Sequence, residues 1–133
     1  MEHKIITTWK GEMQFEAETP GGIVTMDSGN NGVSPKALML DALAGCTGMD
    51  VVSLLKKMRA EVAEFKIEVV AELTEEHPKV YKNVLVQYIF SDENFKKDKI
   101  EKSVNLSVSR YCGVYEMFRG FTDINFEIIY NEK

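Results

Sequence analysis

Residues 34–58 read SPKALMLDALAGCTGMDVVSLLKKM, and the reading of this stretch governs everything around it. Ser34 is a favourable N-cap, and Pro35 suits the first helical position, where its missing N–H is not needed and its fixed φ already fits. Leu, Ala, Met and Val then recur at helical spacing over more than half of the circumference, until Lys56, Lys57 and Arg59 bring positive charge to the C-terminal end. The spacing predicts a helix from Pro35 to about Met58, buried on several sides. That is more apolar surface than one small sheet can cover, so a second copy of the chain is expected against it.

On the N-terminal side, Lys4 to Ala17 holds short β-prone stretches, with Met13, Phe15 and Ala17 alternating against Gln14, Glu16 and Glu18. Lys10-Gly11 and Thr19-Pro20-Gly21-Gly22 carry turn chemistry, and Ile23 to Met26 resumes an apolar strand. A three-stranded meander therefore precedes the helix, closed by the loop Ser28-Gly29-Asn30-Asn31-Gly32. On the C-terminal side, Phe65, Ile67, Val69, Ala71 and Leu73 alternate with polar residues in a long strand. Glu75-Glu76-His77-Pro78-Lys79 reverses it, and Val80 to Phe90 returns with Val84, Val86, Tyr88 and Phe90 on one face. Ile100, Val104, Val108, Tyr111 and Tyr115 mark a second amphipathic helix that Gly113 interrupts, and Ile124, Phe126, Ile128 and Tyr130 line a closing strand. The order is βββ-α-ββ-α-β, an α+β fold in one domain spanning 1–133, with no internal repeat or linker.

Composition narrows the function classes. The chain has 133 residues, a net charge of −5 and two cysteines. Its lysines are interleaved with glutamates, so the basic stripe of a nucleic-acid binder is missing. Nowhere does the chain approach the roughly 20 apolar residues that a bilayer needs, and the first ten residues contain no long apolar core after a basic stretch, so neither membrane nor export is expected and the address is read as cytoplasmic. Neither cysteine belongs to a Cys-x-x-Cys pair or a Cys/His cluster of zinc spacing, which argues against a metal site.

Cys46 falls near the middle of the long helix and shares its face with Met39, Ala42, Leu43, Met49, Asp50 and Ser53. These mainly apolar neighbours predict a raised thiol pKa and a sluggish nucleophile unless a cation or helix N-terminus from elsewhere steadies the thiolate, so on the residues alone a small core filler is the better reading than a reactive thiol. Cys112, within Ser109-Arg110-Tyr111-Cys112-Gly113, could end one helical segment and begin another, with Arg110 close by; both features would favour a thiolate. A buried thiol between two tyrosines is the alternative. Spacing alone does not say whether the two cysteines meet. His3, near a terminus, and His77, beside a turn proline, read as exposed, and Trp9 and Tyr88 as core or interface residues.

The segment GVSPKALMLDALAGCTGMDVVS, Gly32 to Ser53, resembles the first cysteine motif of the OsmC and organic-hydroperoxide-resistance (Ohr) family. Its Asp50-Val51-Val52-Ser53 continuation is similar to the YhfA-like branch in particular. SVSRYCGV, Ser107 to Val114, is similar to the family's second cysteine motif. The resemblance implies the same element order, a domain-swapped homodimer with the long helices at its centre, and sites at the subunit interface. It implies a thiol peroxidase in which Cys46 attacks an organic hydroperoxide and Cys112 resolves the sulfenic acid to a disulfide, later reduced by a dithiol, with no cofactor. Lys36 stands where the family's peroxidases carry a Glu that holds an Arg against the thiol, and the first arginine here is Arg59. With both supports missing, the resemblance implies a weak peroxidase. The competing reading is a binding module that holds an apolar or acyl ligand at the dimer interface.

Overall fold

The computed structural model describes residues 1–28 and 31–133. Gly29 and Asn30 of the expected loop lie outside the described residues. The chain forms two compact units, Met1–Asp41 and Ala42–Lys133.

The first unit is the expected meander. β1 (Ile6–Gly11), β2 (Gln14–Thr19) and β3 (Gly22–Met26) pair antiparallel in that order. The first reversal falls one step later than the turn chemistry of Lys10-Gly11 suggests: a bulge between Trp9 and Gly11 carries the chain into a turn at Glu12 and Met13. Gly11 at φ 112° takes the left-handed region that glycine enters without a Cβ clash, and Glu12 at φ 48° follows it. Met13 is thus a turn residue. The Trp9 indole N–H donates to the Glu12 carbonyl at 2.9 Å and ties the turn down. Trp9 and Ile23 remain 63% and 64% exposed, so the meander carries more apolar surface than it buries itself.

The second unit is built around a mixed sheet. β4 (Glu64–Leu73) and β5 (Tyr81–Asp92) form an antiparallel hairpin, and β6 (Asp123–Glu132) lies on the other side of β5, parallel to it. A parallel neighbour requires a crossover. Here it consists of α2 (Lys97–Leu106), a π-helical turn (Ser107–Tyr111) and α3 (Gly113–Arg119). Central β5 supplies the core with Val84, Val86, Tyr88 and Phe90, all fully buried as their alternation requires. Phe65 stacks on Phe90 at 4.6 Å between centroids, and Phe126 meets Tyr88 edge-on at 6.0 Å.

The long helix α1 runs from Pro35 to Lys57, and its buried stripe is Leu43, Thr47, Val51 and Leu55, four residues apart throughout. Gly48 lets the helix lie close to β4, since a Cβ there would sit only 3.2 Å from Ile67 Cδ1. Two residues beyond the end of the helix, Arg59 at φ 55° turns the chain away. The Lys96 and Lys99 ammonium groups donate to the Arg59 and Met58 carbonyls at 2.9 and 3.0 Å, capping the free carbonyls of that end. By length and composition alone α1 is long and apolar enough to cross a bilayer. This corrects the expectation that nothing in the chain approaches such a length; the buried stripe residues Leu43, Thr47, Val51 and Leu55 account for part of that apolar character as core packing.

The second amphipathic helix is divided more sharply than its periodicity implies. The Cys112 N–H reaches back five residues to the Ser107 carbonyl at 2.8 Å, the backbone turns extended at Cys112, and Gly113 starts α3. Because Leu43 is fully buried between these layers, Leu43→Ala is expected to cost about 2–5 kcal/mol in urea unfolding.

Candidate functional site

Cys46 projects from α1 half-buried, and Cys112 is 3% exposed at the junction of the π turn and α3. Both are free thiols. Although most of the second unit separates them in sequence, the Cys46 thiol lies near enough to Cys112 to push its pKa up. The two candidate residues therefore come together. As the residue that caps α3, Cys112 also accepts the Tyr115 N–H on its sulfur at 3.3 Å.

This setting does not make Cys112 a thiolate. Burial pushes its pKa up to about 12. The Tyr115 N–H pulls the other way but is outweighed, and the Cys46 thiol and the Asp50 carboxylate push it further up. The helix that begins there is only seven residues long. Arg110 is exposed, its guanidinium 5.8 Å from the Tyr111 ring centroid. The two features expected to favour the thiolate thus lose to desolvation.

A chain of buried hydroxyls borders the thiols. Thr47 Oγ1 lies 2.7 Å from both the Tyr88 hydroxyl and Ser107 Oγ, and the Ser107 hydroxyl donates to Asp50 Oδ2 at 3.0 Å. Tyr88, Thr47 and Ser107 are fully buried. Burial also raises the Tyr88 pKa well above the ordinary phenol value, so it stays a neutral donor. The sequence marks Asp50 only as a helix-face neighbour of Cys46 and gives Thr47 and Ser107 no part in the site. The available signal was Thr47 on the buried stripe of α1, because a polar group at such a position must find partners.

Two hollows flank the pair. An open groove of about 730 Å³ runs between α1 and β4, lined by Ala44, Gly45, Gly48, Met49, Val52 and Phe65 with Lys56 and Lys66 beside them. A smaller cavity of about 210 Å³ is lined by Cys112 itself together with Ser109, Arg110, Tyr111 and Glu116. Among the described residues no three His, Cys, Asp or Glu side chains are grouped to hold a metal ion. His3 and His77 are exposed.

Comparison with known proteins gives one consistent picture. The family model described as OsmC-like protein matches residues 28–127. Protein YhfA of Escherichia coli K12 is 29% identical over 126 residues, covering 91% of this chain and 94% of that protein. The crystal structure of a hypothetical protein from Aquifex aeolicus VF5 superposes with a TM-score of 0.85 at 28% identity, covering 99% of both chains. The organic hydroperoxide resistance protein OhrB of Bacillus subtilis shares the fold, with a TM-score of 0.64 at 19% identity and 96% and 98% coverage.

The burial of Cys112 has two measurable consequences. At pH 8 iodoacetamide is expected to label Cys46 well before Cys112, with Cys112 reacting only on unfolding; mass mapping over time reads the order. As pH rises from the ordinary thiol value of 9.0 toward about 12, the unfolded chain releases the Cys112 proton while the native fold keeps it. Native stability should therefore fall with pH across that window, and less steeply in Cys112→Ser.

Proposed function

Because the chain belongs to the OsmC-like protein family, we propose that it is a thiol redox protein that reduces organic hydroperoxides through Cys46 and Cys112. The observation that carries this reading is the proximity of two free thiols distant in sequence, close enough for Cys46 to raise the Cys112 pKa. The Cys46 sulfur, as thiolate, attacks the terminal oxygen of ROOH. An S–O bond forms, the O–O bond breaks, and the departing alkoxide takes a proton and leaves as ROH. The Cys112 thiol then attacks the sulfenic acid. An S–S bond forms, the S–O bond breaks, and the Cys112 proton leaves with the hydroxide as water. A dithiol returns both residues to thiols by two exchange steps and is itself oxidised to a disulfide. The compartment that supplies such a reductant is taken as the cytoplasm.

The raised pKa of Cys112 supports the division of labour, since a thiol that is protonated at rest suits the resolving role and leaves Cys46 to attack. The apolar groove beside Cys46 favours organic hydroperoxides over hydrogen peroxide, because burial of the organic group adds binding that hydrogen peroxide lacks. Lys36 in place of the family Glu, and the lack of any arginine before Arg59, remove the charge that would steady the thiolate. A loss of that kind typically costs about two or more powers of ten in rate.

The working form is a homodimer. Met49 and Val52 on α1 are 76% and 55% exposed, and the groove they line presents a continuous apolar wall that a second copy would cover. The same groove sustains the second reading, an apolar or acyl ligand held beside cysteines that merely line the site.

Two experiments decide. Sedimentation at micromolar concentration should give a dimer; a stable folded monomer would remove the interfacial site. With a dithiol present, the wild type should consume cumene hydroperoxide faster than hydrogen peroxide, Cys46→Ser should be inactive, and Cys112→Ser should fail after its first turnover. Equal rates for wild type and Cys46→Ser would leave ligand binding as the better reading.

A further inference from the structure

Asp50 lies one helical turn beyond Cys46 on α1, and Ser107 opens the π turn that ends at Cys112. Three links run from one cysteine to the other: the α1 turn from Cys46 to Asp50, the Ser107 to Asp50 hydrogen bond at 3.0 Å, and the 2.8 Å bond from the Cys112 N–H to the Ser107 carbonyl. Two side-chain bonds join these segments without involving sulfur, Ser107 to Asp50 at 3.0 Å and Ser107 to Thr47 at 2.7 Å, and the Ser107 hydroxyl also lies 3.5 Å from the Thr47 carbonyl.

The carboxylate also sets the direction of the hydroxyl chain. An ionised aspartate offers no proton, so Ser107 must donate to it. Thr47 then donates to Ser107 Oγ, and Tyr88 donates to Thr47 Oγ1, which leaves every hydroxyl in the chain engaged. Replacing the acceptor by an apolar group lets the Ser107 proton turn to Thr47 Oγ1 or to the Thr47 carbonyl instead, so the chain loses the one anchor that fixes its direction. A π turn is a costly local geometry that tends to occur where function needs it, and here its first residue is the one held.

We propose that Asp50 is the positioning residue of the thiol pair, holding Ser107 so that the π turn presents Cys112 to Cys46. The inference rests on the reading of these cysteines as a redox pair. Asp50 does not touch the reacting peroxide in this scheme. It fixes how closely and how often the sulfurs meet, which is the effective concentration of one thiol at the other.

The test is the equilibrium constant for the Cys46–Cys112 disulfide in glutathione redox buffers, measured by mass mapping of the full-length protein without any peroxide. In Asp50→Ala and in Ser107→Ala it should fall about tenfold or more relative to wild type, whereas Asp50→Asn, which keeps a carbonyl acceptor for Ser107, should stay within about threefold. Alanine variants within about twofold of wild type, or an Asn variant no better than Asp50→Ala, would overturn the proposal. Should one alanine variant not fold, the other gives the same decision. A wild type that forms the disulfide in glutathione but consumes no hydroperoxide would refute the peroxidase reading, while the variant ratios still decide the role of Asp50. A wild type forming no such disulfide at any glutathione ratio would overturn both.

Discussion

The hydroxyl of Thr47 binds α1 to the centre of the sheet through Tyr88 and to the crossover through Ser107, each at 2.7 Å. A threonine in the buried stripe of a helix is costly unless its hydroxyl is partnered, and here both partners are themselves fully buried hydroxyls. The arrangement is mutually dependent: none of the three groups could be buried at acceptable cost without the others. The helix rotation that satisfies Thr47 also fixes the direction in which Cys46 projects, one residue earlier. Packing of apolar side chains alone tolerates small rotations and slides, whereas hydrogen bonds of this length do not.

Much of the architecture was legible because periodicity reports directly on burial. The alternation at Val84, Val86, Tyr88 and Phe90 becomes the fully buried face of β5, and Ser34-Pro35 begins α1 where its cap chemistry says it should, with the Ser34 hydroxyl accepting from the Ala37 N–H at 3.3 Å. What periodicity could not report is partner choice. That β6 runs parallel to β5 is decided by the length of the crossover and by which edge of the hairpin is free, neither of which is encoded in the strand's own residues. Around Lys10-Gly11 the turn moved because a bulge inserts a residue, a local event that alternation cannot anticipate.

The thiols were legible in a different way. The residues alone left each as either core filler or reactive group, and the resemblance of two motifs to one family was needed to pair them. The geometry adds something neither source contained: the tendency of a helix start to favour an anion is real at Cys112, through the Tyr115 N–H, yet burial outweighs it. On charge alone Asp50 has no place beside a reactive thiol, since an anion opposes thiolate formation nearby. It does raise the Cys112 pKa, but its hydrogen bond from Ser107 gives it a separate structural part that charge arguments overlook.

Sulfurs that are neighbours in the fold but far apart along the chain make cross-linking and folding reciprocal. Whatever free energy the fold contributes to bringing Cys46 and Cys112 together, a bond between them returns to the fold, because the closed loop spans most of the second unit and the unfolded chain would lose entropy of about 3–5 kcal/mol by being tied there. The parallel docking of β6 and helix α3 lie outside that loop, and α2 with the π turn that leads to Cys112 lies within it. Oxidation would thus act on the crossover as a brace, hardening the helical layer against local opening while leaving the C-terminal strand as free to fray as before.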